Sequence, residues 1–529
     1  MLNPVNPIDH TAAARLLEFL GPSPPWNRSL WNIGLVLELH ELHEACEAFR
    51  NSILSEKSVC RLVSSFLRKA GKDPVLTREE KAHLREQLQQ PKPPHVGSAQ
   101  HHAIRQMADR LQRDYLMRWA QIVRGEPNYG LENFARSVAA HLLDHGFSRA
   151  HLQETVRAAL RTSDSVTLAE ICEQLQAEIR TNQSRQFEVL IGFQKSPRHP
   201  GGYPRGWMNG HMGAEWLIAN GFDTSNLRIS AATVLTVTAL DPRGAAEAAA
   251  SESDRLAART IVATGQRLER LKTVWVRGHP EPFPLFGDAR GVRVKALARE
   301  DLIYEPTQYK NIDAAIELMA HLEGSSPAAA IAGGWAAIEG LLAEPDARAT
   351  AADNLAALVA CSWPRAELTT LSYTVQKHVA QYAVEFDQLR VNRERCMRLA
   401  ELIHDGQIRG LDRRPADTAA ILRVSKVLNN PRSGLQDIKE TVAEAFHRLY
   451  RQRNLILHGG NLDGVSLRAS LRTVAKLAGA GLDRIAHAQY VQQVIPLELV
   501  SRANMGLALL DNRSTMACVD LLEPHVSGP

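Results

Sequence analysis

Apolar residues recur at every third or fourth position through the first part of the chain, a spacing that places their side chains on one helix face. One such stripe has five members: Leu35, Leu39, Leu42, Cys46 and Phe49. Closely spaced prolines interrupt the pattern at 90–99, because proline cannot continue a helix. The pattern then resumes. We predict an N-terminal helical region over 1–90 and a second helical region over 100–184, joined by a linker.

Residues 134–160 have the order helix, glycine turn and a second helix that starts at Ser148. In outline this is a helix-turn-helix. Two interpretations stay open, a DNA-reading motif and an ordinary hairpin within a helical bundle. Both contain a glycine between two amphipathic helices, so the pattern does not decide between them.

The pattern changes at about residue 185, where β-branched residues cluster in short runs typical of strands. An alanine-rich helix introduced by Asp241 and Pro242 separates the second run from the third. We predict a small α+β domain over 185–308 that is ferredoxin-like. The four predicted strands lie in QFEVLIGF (186–193), NLRISAATVLTVTAL (226–240), KTVWVRG (272–278) and GVRVKALA (291–298).

Helical spacing returns over 309–510, and 511–529 is predicted to be a C-terminal tail. The fold class predicted from these patterns is mainly α. It comprises an N-terminal helical region, a smaller central α+β domain and a C-terminal helical bundle. The length of 529 residues is consistent with about three or four domains.

Composition narrows the class of protein but does not identify a function. The chain is 44% hydrophobic and 23% charged, which is typical of a soluble globular protein. Its net charge of +4 neither requires nor excludes nucleic acid, so any basic surface has to be local. The six cysteines form no C-x-x-C pair, which favours neither a zinc ribbon nor a disulfide framework. Without a signal-peptide pattern or an apolar run of membrane-spanning length, we expect a cytoplasmic protein that does not associate with membranes.

Several cofactor motifs are missing. The chain contains neither a phosphate-binding G-x-x-x-x-G-K-[ST] loop nor a dinucleotide-binding G-x-G-x-x-G after a strand. The segment HELHEACE, from His40 to Glu47, does not have the spacing of a metalloprotease H-E-x-x-H motif. His40, His43 and Glu44 fit exposed polar positions as well as a metal site. We therefore predict no cofactor and no metal.

The loop SPRHPGGYPRGWMNGHMG (196–213) combines basic and aromatic residues with glycine and proline. Arg198 and Arg205 are candidates to contact RNA phosphates, and Trp207 is a candidate to stack on a base. The alternative is a loop that only connects a strand to a helix.

The segment RLYRQRNLILHGG (448–460) ends an amphipathic helix that is predicted to start near Leu435. Arg453 continues the apolar stripe of that helix, where a buried arginine is costly unless it is paired. Arg448 and Arg451 add positive charge near the C-terminal end. This distribution complements the helix dipole, and it also predicts a basic patch that contacts RNA.

Arg453 and His458 have the spacing R-x-x-x-x-H, which also occurs at Arg78/His83 and at Arg136/His141. Only at Arg453/His458 does an asparagine follow the arginine and a Gly-Gly break follow the histidine. This context resembles the HEPN superfamily, whose ribonuclease members carry R-N-x-x-x-H late in a helical bundle. The Apea-like HEPN branch is the most similar. Upstream, AAAIAGGWAAIEGLLAE (328–344) resembles the first bundle helix of that branch at four positions: Trp335, Glu339, Leu341 and Leu342.

The resemblance covers about 310–510 and implies metal-independent RNA cleavage, in which the 2′-hydroxyl attacks the adjacent phosphate and leaves a 2′,3′-cyclic phosphate. It implies proton exchange by His458 and stabilisation of phosphate charge by Arg453. Asn454 is expected to orient the histidine or bind a phosphate oxygen, and Glu339 to hold Arg453 or tune His458. The implied role is a toxin or antiviral effector, with the region before 310 sensing a trigger or restraining activity.

Five residues of ideal helix separate Arg453 and His458 by roughly 140° of rotation and about 7.5 Å of rise. We therefore expect that the two side chains do not meet within one straight helix. Either the helix distorts at Gly459 and Gly460, or a second copy of the chain supplies the complementary groups. The resemblance implies the second case, so we predict a homodimer with a composite active site. The alternative function is a non-catalytic HEPN scaffold that binds RNA or protein.

Overall fold

The computed structural model describes residues 7–126, 129–162, 166–182, 184–196, 202–285, 289–305, 307–511 and 516–523. The described residues fall into two compact units. Unit 1 lies within 1–141, 160–173 and 290–529, and unit 2 lies within 142–159 and 174–289.

Helices account for most of the described chain, as the sequence predicted. The first ten are α1 (Pro7–Phe19), α2 (Leu35–Arg50), α3 (Glu56–Lys72), α4 (Arg78–Leu88), α5 (Ala99–Gly125), α6 (Leu131–His145), α7 (Arg149–Thr162), α8 (Leu168–Thr181), α9 (Gly210–Ala219) and α10 (Pro242–Thr264). The next ten are α11 (Ala296–Arg299), α12 (Lys310–Gly324), α13 (Pro327–Leu342), α14 (Thr350–His378), α15 (Ala380–Gln388), α16 (Asn392–His404), α17 (Pro415–Asn429), α18 (Pro431–Gly459), α19 (Leu467–Gln492) and α20 (Pro496–Leu509). The strands are β1 (Arg185–Phe193), β2 (Trp207–Asn209), β3 (Ala231–Ala239), β4 (Arg270–Val276) and β5 (Phe283–Pro284).

Unit 1 joins the N-terminal helices to the C-terminal bundle, which the predicted division at 90–99 and 309 did not anticipate. Trp31 belongs to the same hydrophobic core as the helices of the bundle. Arg28, in the segment before α2, donates to Glu367 of α14 at 2.6 Å and to Asp417 of α17 at 2.9 Å. All three side chains are buried, so the start of the chain is part of the same packed structure.

The C-terminal residues 516–523 also pack into unit 1. Cys518, Val519 and Leu522 are buried in its core, and Glu523 accepts a hydrogen bond from Arg365 at 2.5 Å. The prediction that 511–529 is a tail is therefore wrong for these residues, because their apolar side chains complete the bundle. Of the rest of that range, 512–515 and 524–529 lie outside the described residues.

Unit 2 contains a five-stranded sheet with the order β2-β3-β1-β4-β5, in which all neighbours are antiparallel. Val189 and Ile191 of β1 share a core with alanines of α10, whereas Leu190 packs with Leu217 of α9. Successive residues of a strand face opposite sides of the sheet. The two helices therefore cover opposite faces.

The strands of the sheet confirm three of the four predicted runs, in β1, β3 and β4. The fourth prediction is wrong: the first five residues of GVRVKALA form a loop, and its last three belong to the short helix α11. The ferredoxin-like order of strand, helix, strand, strand, helix, strand is not observed either. Here β1 and β2 both come before α9, the helix that connects β2 to β3. The coarser prediction, a mainly helical chain with a small α+β part, is confirmed.

The helix-turn-helix predicted at 134–160 is present as α6 and α7. Gly146 adopts φ +109° between them, a conformation that favours glycine, and Ser148 Oγ accepts from the backbone N–H of His151 at 3.3 Å. This geometry does not decide between DNA reading and a bundle hairpin. Among the described helices, none combines the length and the apolar character needed to cross a membrane.

Candidate functional site

Helix α18 carries the R-N-x-x-x-H segment at its C-terminal end. The helix begins at Pro431, four residues before the predicted start, because proline is well tolerated in the first helical turn. Leu435, Val442 and Phe446 hold its apolar face in the core. Gly460 adopts φ +63° and its N–H caps the carbonyls of the last turn. The glycine stop predicted from the sequence is confirmed, and His458 lies exposed in the final turn.

Arg453 and His458 meet at this helix end within one chain. Arg453 Nη1 donates to His458 Nε2 at 3.0 Å and to Asn454 Oδ1 at 2.9 Å. The prediction that the two side chains do not meet is therefore wrong. The prediction considered only the rotation and rise between the two Cα atoms. The long arginine side chain, however, extends along the helix and reaches the histidine. Since a guanidinium only donates, His458 is the acceptor and carries its ring proton on Nδ1.

Arg448 and Arg451 do not form the predicted surface patch. The side chains of both are 2% exposed. Arg448 Nε and Arg451 Nε each donate at 2.9 Å to Glu41 of α2, and Arg451 also donates to Glu444 at 2.6 Å. The predicted RNA contact is thus contradicted at these two positions, because buried and paired guanidiniums are not accessible to a phosphate. Of these three arginines, only Arg453 keeps a partly exposed side chain.

Glu339 lies on α13, where Trp335 Nε1 donates to its Oε2. Its Oε1 lies 3.4 Å from Arg348 Nε, and the Trp335 ring packs on Tyr450 of α18 with centroids 4.8 Å apart. The two elements of the resemblance therefore contact each other through Trp335. Within the described residues, no hydrogen bond or ion pair joins Glu339 to Arg453 or His458.

Glu44 of α2 contacts the loop that follows α18, a connection that the sequence analysis missed. Its Oε1 accepts from Asn461 Nδ2 and from the backbone N–H of Val465, both at 3.2 Å. Its Oε2 is buried and makes no hydrogen bond within the described part of the chain. Burial raises the pKa of this carboxyl to about 7. The segment HELHEACE, considered above only as a metal motif, thus places a weakly acidic carboxyl beside the candidate site.

Glu44→Gln is expected to change how stability depends on pH. The folded state holds the Glu44 proton more tightly than the unfolded chain, because the pKa rises from 4.5 to about 7. The stability from this group is therefore complete below about pH 4.5 and is lost as the pH rises toward 7. We expect wild type to lose about 2 kcal/mol more than Glu44→Gln between pH 5 and pH 8. Urea denaturation of both proteins in metal-free buffer measures this difference, and equal pH slopes would contradict it.

The predicted RNA-contacting loop lies in unit 2. Arg198 lies outside the described residues. Arg205 is exposed. Trp207 belongs to β2, where it pairs with Thr233, and its ring stacks on Phe193 with centroids 4.4 Å apart. One face of the Trp207 ring is therefore already covered by protein.

Two residues of HELHEACE approach a third residue from another helix. His43 and Glu47 lie one turn apart on α2, and His101 lies at the start of α5. One nitrogen or oxygen of each side chain lies within 4.8 Å of those of the other two. The sequence analysis missed His101 because no local pattern connects it to α2.

No protein-family model, no curated protein and no solved structure matches the chain.

Proposed function

We propose that the protein is a metal-independent endoribonuclease of HEPN type, with Arg453 and His458 as catalytic residues and RNA as substrate. The observation that carries the proposal is the 3.0 Å contact between Arg453 Nη1 and His458 Nε2 at the accessible end of α18. It brings a permanent cation and a group that exchanges protons near neutral pH to one place.

In the proposed reaction, a phosphate oxygen of RNA replaces His458 Nε2 as the acceptor for Arg453 Nη1. The freed Nε2 takes the proton of the ribose 2′-hydroxyl as its oxygen attacks phosphorus. The bond from phosphorus to the 5′-oxygen then breaks and that oxygen takes up a proton from water, leaving a 2′,3′-cyclic phosphate and a 5′-hydroxyl. The exposed His458 returns its proton to solvent, which restores the neutral imidazole. Arg453 stabilises the additional negative charge of the pentacoordinate phosphate.

Asn454 acts in this proposal as a positioning residue. It is 7% exposed, and its Oδ1 accepts from the same Nη1 that contacts His458. A buried amide oxygen thus fixes the direction of the guanidinium. Glu339 has Trp335 and Arg348 as partners, so we assign it to holding α13 rather than to the chemistry.

The biological setting follows from the resemblance alone. We propose a cytoplasmic toxin or antiviral effector, with the part of the chain before 310 sensing a trigger. A homodimer remains part of the proposal for the same reason. Its geometric argument no longer holds, since Arg453 and His458 meet within one chain.

The same contact supports a second candidate. Because His458 Nε2 is already occupied by Arg453, the pair is also suited to fixing the helix end in a non-catalytic scaffold that binds RNA or protein. The two candidates differ in one measurable property, which is cleavage.

Cleavage of total RNA by purified wild type and Arg453→Ala, in the presence of EDTA, tests the proposal. We expect wild-type fragments with 5′-hydroxyl ends, which polynucleotide kinase labels without prior phosphatase treatment, and none above background from Arg453→Ala. His404→Ala is the matched control, because His404 is likewise an exposed histidine in the last turn of a helix. Cleavage by Arg453→Ala at the wild-type rate would refute the site. A wild type that binds but never cuts RNA, even with cell extract as a source of trigger, would establish the scaffold.

A further inference from the structure

His43, Glu47 and His101 form a cluster of metal-ligand side chains that the proposed ribonuclease reaction does not use. Helix α2 supplies His43 and Glu47, with His43 Nδ1 4.0 Å from Glu47 Oε1. Helix α5 supplies His101, whose backbone N–H is held by the N-cap Ser98. The two imidazole rings lie with centroids 3.9 Å apart and planes 26° from parallel. All three side chains belong to unit 1.

We propose that these three residues bind a divalent transition metal ion, with Zn²⁺ as the best fit. Two imidazoles and one carboxylate are nitrogen and oxygen ligands that zinc accepts, whereas Ca²⁺ and Mg²⁺ prefer oxygen ligands alone. Three protein ligands leave the fourth tetrahedral position to water, the arrangement of an open zinc site. The Glu47 side chain is 47% exposed, so the ion can enter from solvent.

His101 indicates that the cluster has a purpose beyond packing. The residue is 4% exposed. Its Nδ1 accepts from the backbone N–H of Gly97 at 3.5 Å, whereas its Nε2 is buried without a hydrogen bond to any described residue. A buried polar atom without a partner is costly. Stacking on His43 gives Nε2 neither a donor nor an acceptor, whereas a metal ion gives it a ligand bond.

Binding requires a small local rearrangement. Imidazole lone pairs lie in the ring plane, so two stacked rings direct them side by side rather than toward one point. Rotation of the partly exposed His43 ring makes the lone pairs converge. The distances between the three ligand atoms, which lie within 4.8 Å of one another, then shorten to about 3.4 Å. Metal–ligand bonds of about 2.1 Å in a tetrahedral site require this separation. The side-chain torsions of His43 and Glu47 change, and the ring proton of His101 moves from Nε2 to Nδ1, which gives up the long contact with the Gly97 N–H.

The bound ion links α2 to the N-terminal turn of α5, the helix that begins directly after the proline-rich segment. Because the folded chain supplies all three ligands and the unfolded chain does not hold them together, zinc is expected to stabilise unit 1. The inference does not depend on the ribonuclease proposal, and cleavage is not its readout.

Zn²⁺ titration of metal-free, full-length protein by calorimetry tests the site, with Co²⁺ absorption reporting the ligand types. We expect one equivalent to bind with a tetrahedral cobalt spectrum that lacks thiolate charge-transfer bands. His43→Ala and His101→Ala are each expected to weaken binding at least about 100-fold, since losing a ligand exceeds the effect of losing an outer-shell partner. His102→Ala, an exposed histidine beside His101 on the same helix, is expected to bind as wild type does.

Glu47→Gln keeps the proposal testable if removal of the buried His101 ring prevents folding. This exposed residue can change without loss of the fold, and we expect at least about 10-fold weaker Zn²⁺ binding with an unchanged circular dichroism spectrum. Absence of Zn²⁺ binding to wild type would overturn the proposal. So would full affinity in folded His43→Ala and Glu47→Gln, or cobalt bands showing cysteine ligands.

Discussion

Replacing His458 with alanine is expected to lower the rate of RNA cleavage at least about 100-fold, because the proposed reaction loses its proton acceptor. The change should leave the fold intact, since His458 is exposed in the last turn of α18 and the apolar face of that helix is formed by other residues. Single-turnover cleavage of a labelled RNA measures the effect. His404→Ala again serves as the control, since it removes an exposed imidazole at another helix end.

The double variant Arg453→Ala, His458→Ala provides the sharper form of this test. The two side chains contact each other directly, and residues that act as a unit in catalysis lose activity non-additively. We expect the double variant to cleave RNA about as slowly as either single variant. Losses that multiply would mean that the two residues act independently, which the 3.0 Å contact does not predict. A His458→Ala protein that keeps the wild-type rate would remove the histidine from the mechanism.

Much of the fold could be predicted because its determinants are local. The apolar spacing of α18 and the glycine at its end lie within about thirty residues, and both have the predicted effect. The start was predicted less well, because Pro431 forms the first turn of the helix and does not lie before it. The Asp241–Pro242 start of α10 is a similar case, with Asp241 Oδ1 accepting from the Gly244 N–H at 2.8 Å. The GVRVKALA prediction failed because β-branched residues favour a strand only where a neighbouring strand is available to pair.

The candidate site was harder to predict because its surroundings come from distant parts of the chain. Arg448 donates to Glu41, which lies 407 positions away in the sequence. The periodicity of either helix gives no information on that contact. The sequence therefore showed Arg448 as a surface charge, although it is a buried one. The contact of Glu44 with the loop after α18 and the approach of His101 to α2 were missed for the same reason. The convergence of Arg453 and His458 depends on a side-chain conformation, which residue spacing does not specify.

Glu41→Ala is expected to destabilise unit 1 by about 3 to 5 kcal/mol, the range observed when one member of a buried ion pair is removed. Glu41 is 2% exposed and accepts hydrogen bonds from both Arg448 and Arg451. Without it, the carboxylates that remain within 4.0 Å are Glu444, 2.6 Å from Arg451 and 3.9 Å from Arg448, and Glu38, 4.0 Å from Arg448. Burial alone would raise the pKa of Glu444, but the two arginines already hold it below its usual value. Arg448 therefore loses its closest carboxylate, and the two that remain lie too far away to replace it.

Chemical denaturation of wild type and Glu41→Ala in metal-free buffer measures this loss, and Glu47→Ala is the control. Glu47 lies on the same helix but is exposed, so its replacement should change the free energy of unfolding by less than about 0.5 kcal/mol. The quadruple variant Glu41→Leu, Glu444→Leu, Arg448→Met, Arg451→Met separates charge from packing. Because apolar side chains replace the two buried cations together with both carboxylates that lie closest to them, we expect it to recover most of the stability. If it is as unstable as Glu41→Ala, the loss comes from altered packing between α2 and α18 rather than from unpaired buried charge.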